Sequence, residues 1–222
     1  MGEMLAPLKF VRVWRFSLYY VVVFGAYVAL SAWLPNYYRN TFGLDIRTAA
    51  LLTALYIFPA SLLRPVGGWL SDRYGPRVVT YTVFVVMTLA TVPLCLPTNV
   101  LDLGVVGFTV LMLVVGVGMG IGKASVYKYV PNYYPRDVGA VGGLVGALGA
   151  LGGFILPPVF GAVGRWTGSP QAAFLALLGL TVGSLAWLHL AVLRLKAVER
   201  AAEAAPVPEE LAPAVETVPV RS

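Results

Sequence analysis

Long apolar stretches alternate with short charged connections along most of this chain. The uncharged runs are residues 16–38, 48–63, 78–101, 103–122, 138–164 and 166–193, and the second run continues past a single arginine to residue 71. Each run is long enough for a helix to cross a hydrocarbon core about 30 Å thick. The pattern predicts an all-α integral membrane protein with six transmembrane helices, over about residues 14–36, 48–70, 78–98, 104–128, 138–163 and 171–194.

Composition supports a membrane protein and excludes several other classes. The chain is 59% hydrophobic and 12% charged, with a mean hydropathy of +0.80, which is far from the usage of soluble globular domains. We expect no enzyme, because no nucleophile–base pair or metal-ligand cluster is present, and we expect no cofactor or metal. No basic face with stacking aromatics marks a nucleic-acid partner; the lipid bilayer is the predicted surrounding.

The two ends of the chain differ from the middle. Residues 1–15 form a short basic lead-in, residues 16–195 a single six-helix transmembrane domain, and residues 196–222 a tail rich in Ala, Pro, Glu and Val. A segment with so little apolar bulk is predicted to be disordered.

The distribution of Lys and Arg predicts the orientation. With six spans both termini lie on one side, which collects eleven basic residues: Lys9, Arg12, Arg15, Arg73, Arg77, Lys128, Arg136, Arg194, Lys196, Arg200 and Arg221. The other side has three: Arg39, Arg47 and Arg165. The positive-inside rule therefore places both termini in the cytoplasm of a multi-pass protein of the inner (plasma) membrane.

One arginine lies within an apolar run. Arg64 is the only charge between Arg47 and Asp72, roughly 10 Å inside the helix end at about 1.5 Å per residue. Such a residue costs about 2.5–3.5 kcal/mol to insert, and it usually faces a cavity or pathway. The alternatives are an ion pair with Asp72 or snorkelling to the surface.

Glycines recur at helical spacing in two spans. Gly116, Gly118, Gly120 and Gly122 precede Lys123 but do not match a phosphate-binding loop. They are typical of a helix that lets another backbone approach closely. In the fifth span Gly142, Gly146, Gly149 and Gly153 share one face, which predicts either close helix contact or a bare wall along the path of a small solute.

Two motifs resemble one transporter family. The segment from Ser61 to Arg73, SLLRPVGGWLSDR, and the glycine-rich segment from Gly139 to Pro158 are similar to the eighth helix and the nitrate signature of the nitrate/nitrite porter family of the major facilitator superfamily. The resemblance covers about residues 10–195 and implies the C-terminal six-helix half of a twelve-helix carrier fold. It implies transport of nitrate and/or nitrite by alternating access, as an antiporter or a proton symporter.

The resemblance also implies a site. The substrate-binding residues would be Arg64, Tyr20, Phe24, Gly143 and Gly146, with Asp72, Arg73, Arg77 and Lys123 in gating or coupling. Arg64 would hold the anion, Tyr20 would donate a hydrogen bond to it, and Phe24 would pack on its plane. For Lys123 we favour snorkelling slightly over a role in proton coupling.

The chain is shorter than such a carrier, so we expect an N-terminal six-helix half, as a separate or fused chain, to be required for activity. A split gene, a truncated frame and a homodimer are all compatible with the sequence. The alternative functions are a non-transporting fragment, an accessory membrane subunit, or a carrier of another small anion.

Overall fold

The computed structural model describes residues 6–96 and 100–203, and in that part helices joined by short connections are the only regular secondary structure, with no strand. The helices are α1 (Val11–Tyr20), a π-helical turn (Val21–Gly25), α2 (Ala26–Phe42), α3 (Ile46–Leu62), α4 (Arg64–Tyr74), α5 (Pro76–Leu94), α6 (Gly104–Tyr127), α7 (Tyr129–Tyr133), α8 (Val138–Thr167) and α9 (Ala173–Glu203). Short 3-10 turns occur at Ala6–Lys9 and Pro170–Ala172. The all-α prediction is confirmed.

Five continuous helical stretches of the described chain are long and apolar enough to cross a membrane, and α3 with α4 forms a sixth span bent by 42°. The helices extend beyond several predicted limits. The first stretch covers Val11–Phe42 rather than residues 14–36, and α8 runs to Thr167 rather than residue 163. Hydropathy locates the lipid-embedded part of a helix, whereas a helix continues into water until a cap stops it. Gly43 and Gly168 supply those caps with positive φ.

The predicted disordered tail begins too early, because α9 continues through residues 196–203. That segment consists of Lys, Ala, Val, Glu and Arg, mostly strong helix formers. Residues 1–5 and 204–222 of the predicted lead-in and tail lie outside the described residues. Residues 11–15 of the lead-in belong to α1.

Pro65 accounts for the break in the second span. A proline has no N–H to donate to the carbonyl four residues earlier, here that of Ser61, and its ring crowds the same carbonyl. The backbone ladder resumes immediately, because Gly67 N donates to Leu63 O at 2.9 Å. As a result Arg64 lies at the bend as the first residue of α4.

Glycines set the closest helix contacts. A Cβ on Gly120 would lie 3.0 Å from Ala60 Cα, and one on Gly25 would lie 2.9 Å from Gly152 Cα. The α6 glycines thus admit the α3 backbone, as predicted, and the π-helical turn meets the glycine-rich face of α8. Bare backbones can approach each other in lipid where larger side chains would hold them apart.

The chain divides into two compact units, Met1–Trp187 and Leu188–Ser222. The first unit has an aromatic-rich interior with Phe16, Tyr19, Tyr38, Tyr56 and Phe84 fully buried, and every residue considered for a binding site below lies in it. The second unit, where it is described, is the last part of α9.

Candidate functional site

Arg64 extends from the bend between α3 and α4 toward α1. Its Nη2 donates a long hydrogen bond of 3.5 Å to the Tyr20 hydroxyl. Arg64 is exposed in this chain, and among the described residues it has no ion-pair partner. The guanidinium therefore retains free donors for a ligand.

Tyr20 and Phe24 form a flat aromatic surface beside that guanidinium. Their rings stack with centroids 5.1 Å apart, and Tyr127 of α6 tilts against Tyr20 at 5.4 Å. Tyr20 is the last residue of α1, and Phe24 lies in the π-helical turn Val21–Gly25. The backbone between these two residues is therefore wound differently from a regular α-helix. Single π turns of this kind occur often at functional sites, because they re-aim side chains within a helix.

Lys123 is buried, so the preference for snorkelling is wrong. Its side chain is 2% exposed, and Nζ donates a hydrogen bond of 3.1 Å to the Ala60 carbonyl. The ammonium also lies 3.1 Å from the ring centroid of Tyr27 and 5.9 Å from that of Phe24, in the geometry of a cation–π contact. The close approach of α3 at Gly120 brings the Ala60 carbonyl within reach of the ammonium.

Two cations therefore reach the same aromatic pair from different helices. Arg64 contacts Tyr20 and Lys123 faces Phe24, and Tyr20 and Phe24 stack on each other. The part of the chain that the structure describes offers neither cation a carboxylate partner. Ionisable groups inside a membrane are costly and pair with something, so this cluster suits an anionic ligand.

The glycines of α8 differ in what surrounds them. A Cβ on Gly149 would collide with the Tyr20 ring, whereas one on Gly146 would make only an ordinary contact, 3.6 Å from the Tyr127 hydroxyl. Gly143 is exposed, and a Cβ there would have no neighbour within 4 Å. The Tyr127 hydroxyl donates a 2.8 Å hydrogen bond to the Gly142 carbonyl. The glycine stripe, made of Gly142, Gly146, Gly149 and Gly153, thus contacts α1 at Gly149, whereas Gly143 next to the stripe has open space around it.

This difference predicts unequal effects of two matched substitutions. In the carrier that the family resemblance implies, Gly149→Ala should displace Tyr20, the hydrogen-bond partner of Arg64, and lower transport severalfold or more. Gly146→Ala should lower transport less than Gly149→Ala does, since its added methyl would make only an ordinary contact, 3.6 Å from the Tyr127 hydroxyl. Initial uptake rates normalised to membrane abundance measure both. Equal losses in the two variants would mean that the whole stripe, and not the Tyr20 contact, limits transport.

Three of the four residues predicted for gating or coupling, Asp72, Arg73 and Arg77, lie at or next to the turn between α4 and α5, whereas Lys123 is buried in α6. Asp72 forms an ion pair with Lys128 at the end of α6, not with Arg64. Arg77 donates a 3.1 Å hydrogen bond from Nη2 to the Tyr133 hydroxyl. Arg73 lies over the rings of Trp69 and Tyr74. The contacts of Asp72 and Arg77 link different helices at one end of the bundle, apart from the Arg64 cluster, whereas Arg73 contacts rings of its own helix.

Three residues of this region were not predicted as site residues. The Tyr27 and Ser61 hydroxyls lie 2.9 Å apart, and Tyr127 contacts both Tyr20 and α8. Ser61 stands three residues before Arg64 and Tyr127 four residues after Lys123, so each shares a helix face with a predicted cation. That spacing was the feature of the sequence that could have identified Ser61 and Tyr127 as site residues.

Among the described residues no group of three or more His, Cys, Asp and Glu side chains could hold a metal ion.

Comparison with known proteins gives the chain a family. The model of the Major Facilitator Superfamily matches residues 16–221. The chain is 59% identical over 207 residues to a "Probable nitrate/nitrite antiporter NarK1" of Thermus thermophilus, covering 87% of the chain and 47% of that relative. It is 36% identical over 179 residues to a "Nitrite extrusion protein" of Bacillus subtilis (strain 168), covering 79% and 44%.

A third relative, a "Probable nitrate transporter NarT" of Staphylococcus haemolyticus (strain JCSC1435), is 34% identical over 166 residues, covering 75% of the chain and 42% of that protein. The three names are those of an antiporter, an extrusion protein and a transporter. The relatives are therefore transport proteins, which confirms the prediction that the chain is not an enzyme. The chain spans about half the length of these relatives. The helical spans and the family match together establish that this multi-pass membrane protein belongs to the Major Facilitator Superfamily.

Proposed function

We propose that the chain is the C-terminal half of a secondary carrier that moves nitrate and/or nitrite by alternating access. The observation that supports this most directly is the Arg64 guanidinium beside the stacked Tyr20–Phe24 pair, with the buried Lys123 ammonium behind it. The names of the similar proteins agree with such a substrate.

The chemistry of the cluster suits a small planar oxyanion. A guanidinium offers paired donors in one plane, and it is more weakly hydrated than an ammonium. The Tyr20 hydroxyl supplies a further donor, and the Phe24 ring a flat surface. On α8, Gly143 and Gly146 present bare backbone where a larger side chain would narrow the path. Arg64, Tyr20, Phe24, Gly143 and Gly146 are the proposed substrate-binding residues.

The exposure of this cluster supports the need for a second half. Arg64, Ser61 and Gly143 are exposed in the chain, although all three belong to membrane-spanning helices. A charged, polar surface at that depth is costly against lipid. Carriers with repeated halves bind substrate between them at the bilayer midplane, and an N-terminal six-helix half would cover this face.

The charges at the α4–α5 turn fit a gating role in such a carrier. The Asp72–Lys128 pair joins α4 to α6, and Arg77 joins α5 to α7, so both contacts would change if the helices moved relative to one another. Arg73 lies at the same surface, and Lys123 would couple the substrate site to α3. The excess of Lys and Arg on the side of this turn supports an orientation in which the turn and both termini lie on the cytoplasmic side of the inner membrane.

Transport should depend on a second half. We expect vesicles containing this chain alone to show no saturable uptake of labelled nitrate or nitrite. Vesicles that also contain the part of the T. thermophilus relative not covered by this chain should take up at least one of these anions. Dependence on internal nitrite would indicate exchange, and dependence on a proton gradient would indicate symport.

The controls separate the remaining alternatives. Vesicles with the added half alone measure the background. Saturable uptake by this chain alone would contradict the need for a second half and favour a homodimer. Uptake of formate or chloride, but of neither nitrate nor nitrite, would contradict the proposed substrate. No uptake of any of these anions by the pair would favour a fragment or accessory subunit.

A further inference from the structure

A cavity lined by both polar and aromatic side chains lies away from the Arg64 cluster, between the ends of α2 and α8. Its volume is about 350 Å³, and its lining includes Trp33, Asn36, Asn40, Gly161 and Arg165. None of Arg64, Tyr20, Phe24 and Lys123 lines it. Since α2 ends at Phe42 and α8 at Thr167, the cavity is at the end of the helix bundle opposite the α4–α5 turn.

The cavity is lined by three exposed side chains, Asn36, Asn40 and Arg165, whose hydrogen-bond donors the chain itself does not use. Within residues 6–96 and 100–203, neither the Arg165 guanidinium nor the carboxamides of Asn36 and Asn40 have a hydrogen-bond or ion-pair partner. A carboxamide offers two donors and a guanidinium five. The lining contains no carboxylate, so the local charge is positive.

The walls around these donors are flat and leave room for the guanidinium. Trp33 packs against Tyr37 with ring centroids 4.7 Å apart, and it meets the edge of Phe160 at 5.8 Å. Arg165 folds back along its own helix, so that Nη1 lies 3.4 Å from the position a Cβ would take on Gly161. A side chain at residue 161 would therefore crowd the guanidinium.

From this arrangement we propose that the cavity binds a small planar oxyanion, held by the Arg165 guanidinium and the Asn36 and Asn40 carboxamides against the Trp33 ring. The guanidinium fork matches the geometry of such an anion. Occupancy of this site does not depend on the transport activity of the carrier. Its use as an entry or exit site for the anion held at Arg64 does rest on the proposed function.

Arg165 is also placed where a purely structural role is expected. It lies in the last turn of α8, where a cation interacts favourably with the helix dipole. A purely structural role would change thermal stability but would not create saturable anion binding at Trp33. Asn36→Ala and Asn40→Ala provide a second test, because they keep every charge of the cavity.

Nitrate quenches indole fluorescence on contact, so Trp33 can report occupancy directly. The full chain in nanodiscs would carry Phe at Trp14, Trp69, Trp166 and Trp187, leaving Trp33 as the reporter. We expect nitrate quenching to saturate in this background, and chloride at equal ionic strength to give no saturating phase. Arg165→Gln should make the nitrate quenching linear over the same range, and Asn36→Ala with Asn40→Ala should weaken the apparent affinity at least threefold.

Two matched variants distinguish anion binding in this cavity from a general effect of positive charge and from binding at Arg64. Arg39→Gln removes a positive charge from the same side of the membrane without touching the lining, and Arg64→Gln removes the proposed transport site. Both should retain saturable quenching. Linear quenching in the reporter background, saturation that survives Arg165→Gln, or loss of saturation in Arg39→Gln or Arg64→Gln would each overturn the proposal. Since no step requires transport, failure here is distinguishable from failure of the proposed function.

Discussion

Replacing Arg64 by lysine in the assembled carrier is expected to weaken nitrate binding at least tenfold, about 1.4 kcal/mol. Lysine keeps the positive charge but loses the planar fork that can donate two parallel hydrogen bonds to one oxyanion. It also loses the donor that reaches the Tyr20 hydroxyl across 3.5 Å. The measurement is the nitrate dissociation constant, or the half-saturating concentration of uptake, for the wild type, Arg64→Lys and Arg64→Ala.

Arg39→Lys is the matched control for this series, because Arg39 is exposed near the end of α2 and lies outside the aromatic cluster. It should bind nitrate as the wild type does. Arg64→Ala should be weaker than Arg64→Lys, since it removes the charge as well as the fork. If Arg64→Lys bound nitrate as tightly as the wild type, charge alone would suffice and planar recognition would be wrong.

Lys123→Met should leave the protein folded but reduce transport at least tenfold. The ammonium is buried against the Ala60 carbonyl and the Tyr27 ring, and methionine has a similar length without the cost of a desolvated charge. Burying a charge without an ion-pair partner is costly, and its removal is expected to outweigh the loss of the one hydrogen bond to the Ala60 carbonyl. Membrane abundance and melting temperature should therefore equal or exceed those of the wild type, while nitrate uptake falls.

The control for Lys123→Met is Lys128→Met, just over one helical turn further along the chain. Lys128 is part-exposed and pairs with Asp72, and an exposed pair contributes only about 0–1 kcal/mol. Its loss should change the melting temperature little and uptake less than the loss of Lys123 does. Normal uptake by Lys123→Met would assign the buried ammonium to helix contact alone. A clear fall in melting temperature would instead give it a structural role.

Much of the helical architecture could be read from hydropathy, because lipid offers backbone groups no alternative partner and each apolar run must close its own hydrogen bonds as a helix. The residues at which the helices begin and end were harder to predict from the sequence. α9 continues to Glu203 through charged helix formers. Hydropathy does not indicate a helix in that segment, because its residues are not apolar enough. The bend at Leu63 could have been inferred from Pro65, although its 42° angle could not.

Only part of the candidate site could be predicted from the sequence. Arg64 was identified because an isolated charge in an apolar run is costly, and in the structure its Nη2 lies 3.5 Å from the Tyr20 hydroxyl. For Lys123 the expectation failed, because a lysine near a helix end can reach the surface unless a neighbouring helix covers it. The spacing of residues along α6 does not indicate which neighbouring helix covers Lys123.

By itself, the sequence determined a six-span helical membrane protein with an arginine in its second span, since hydropathy, charge and proline act locally along the chain. Only the tertiary structure decided which groups meet: Lys123 with the Ala60 carbonyl, Asp72 with Lys128, and Arg165 with two asparagines around one cavity. These contacts depend on how closely and at what angle helices cross. The crossings are set by glycines and side chains from distant parts of the chain acting together.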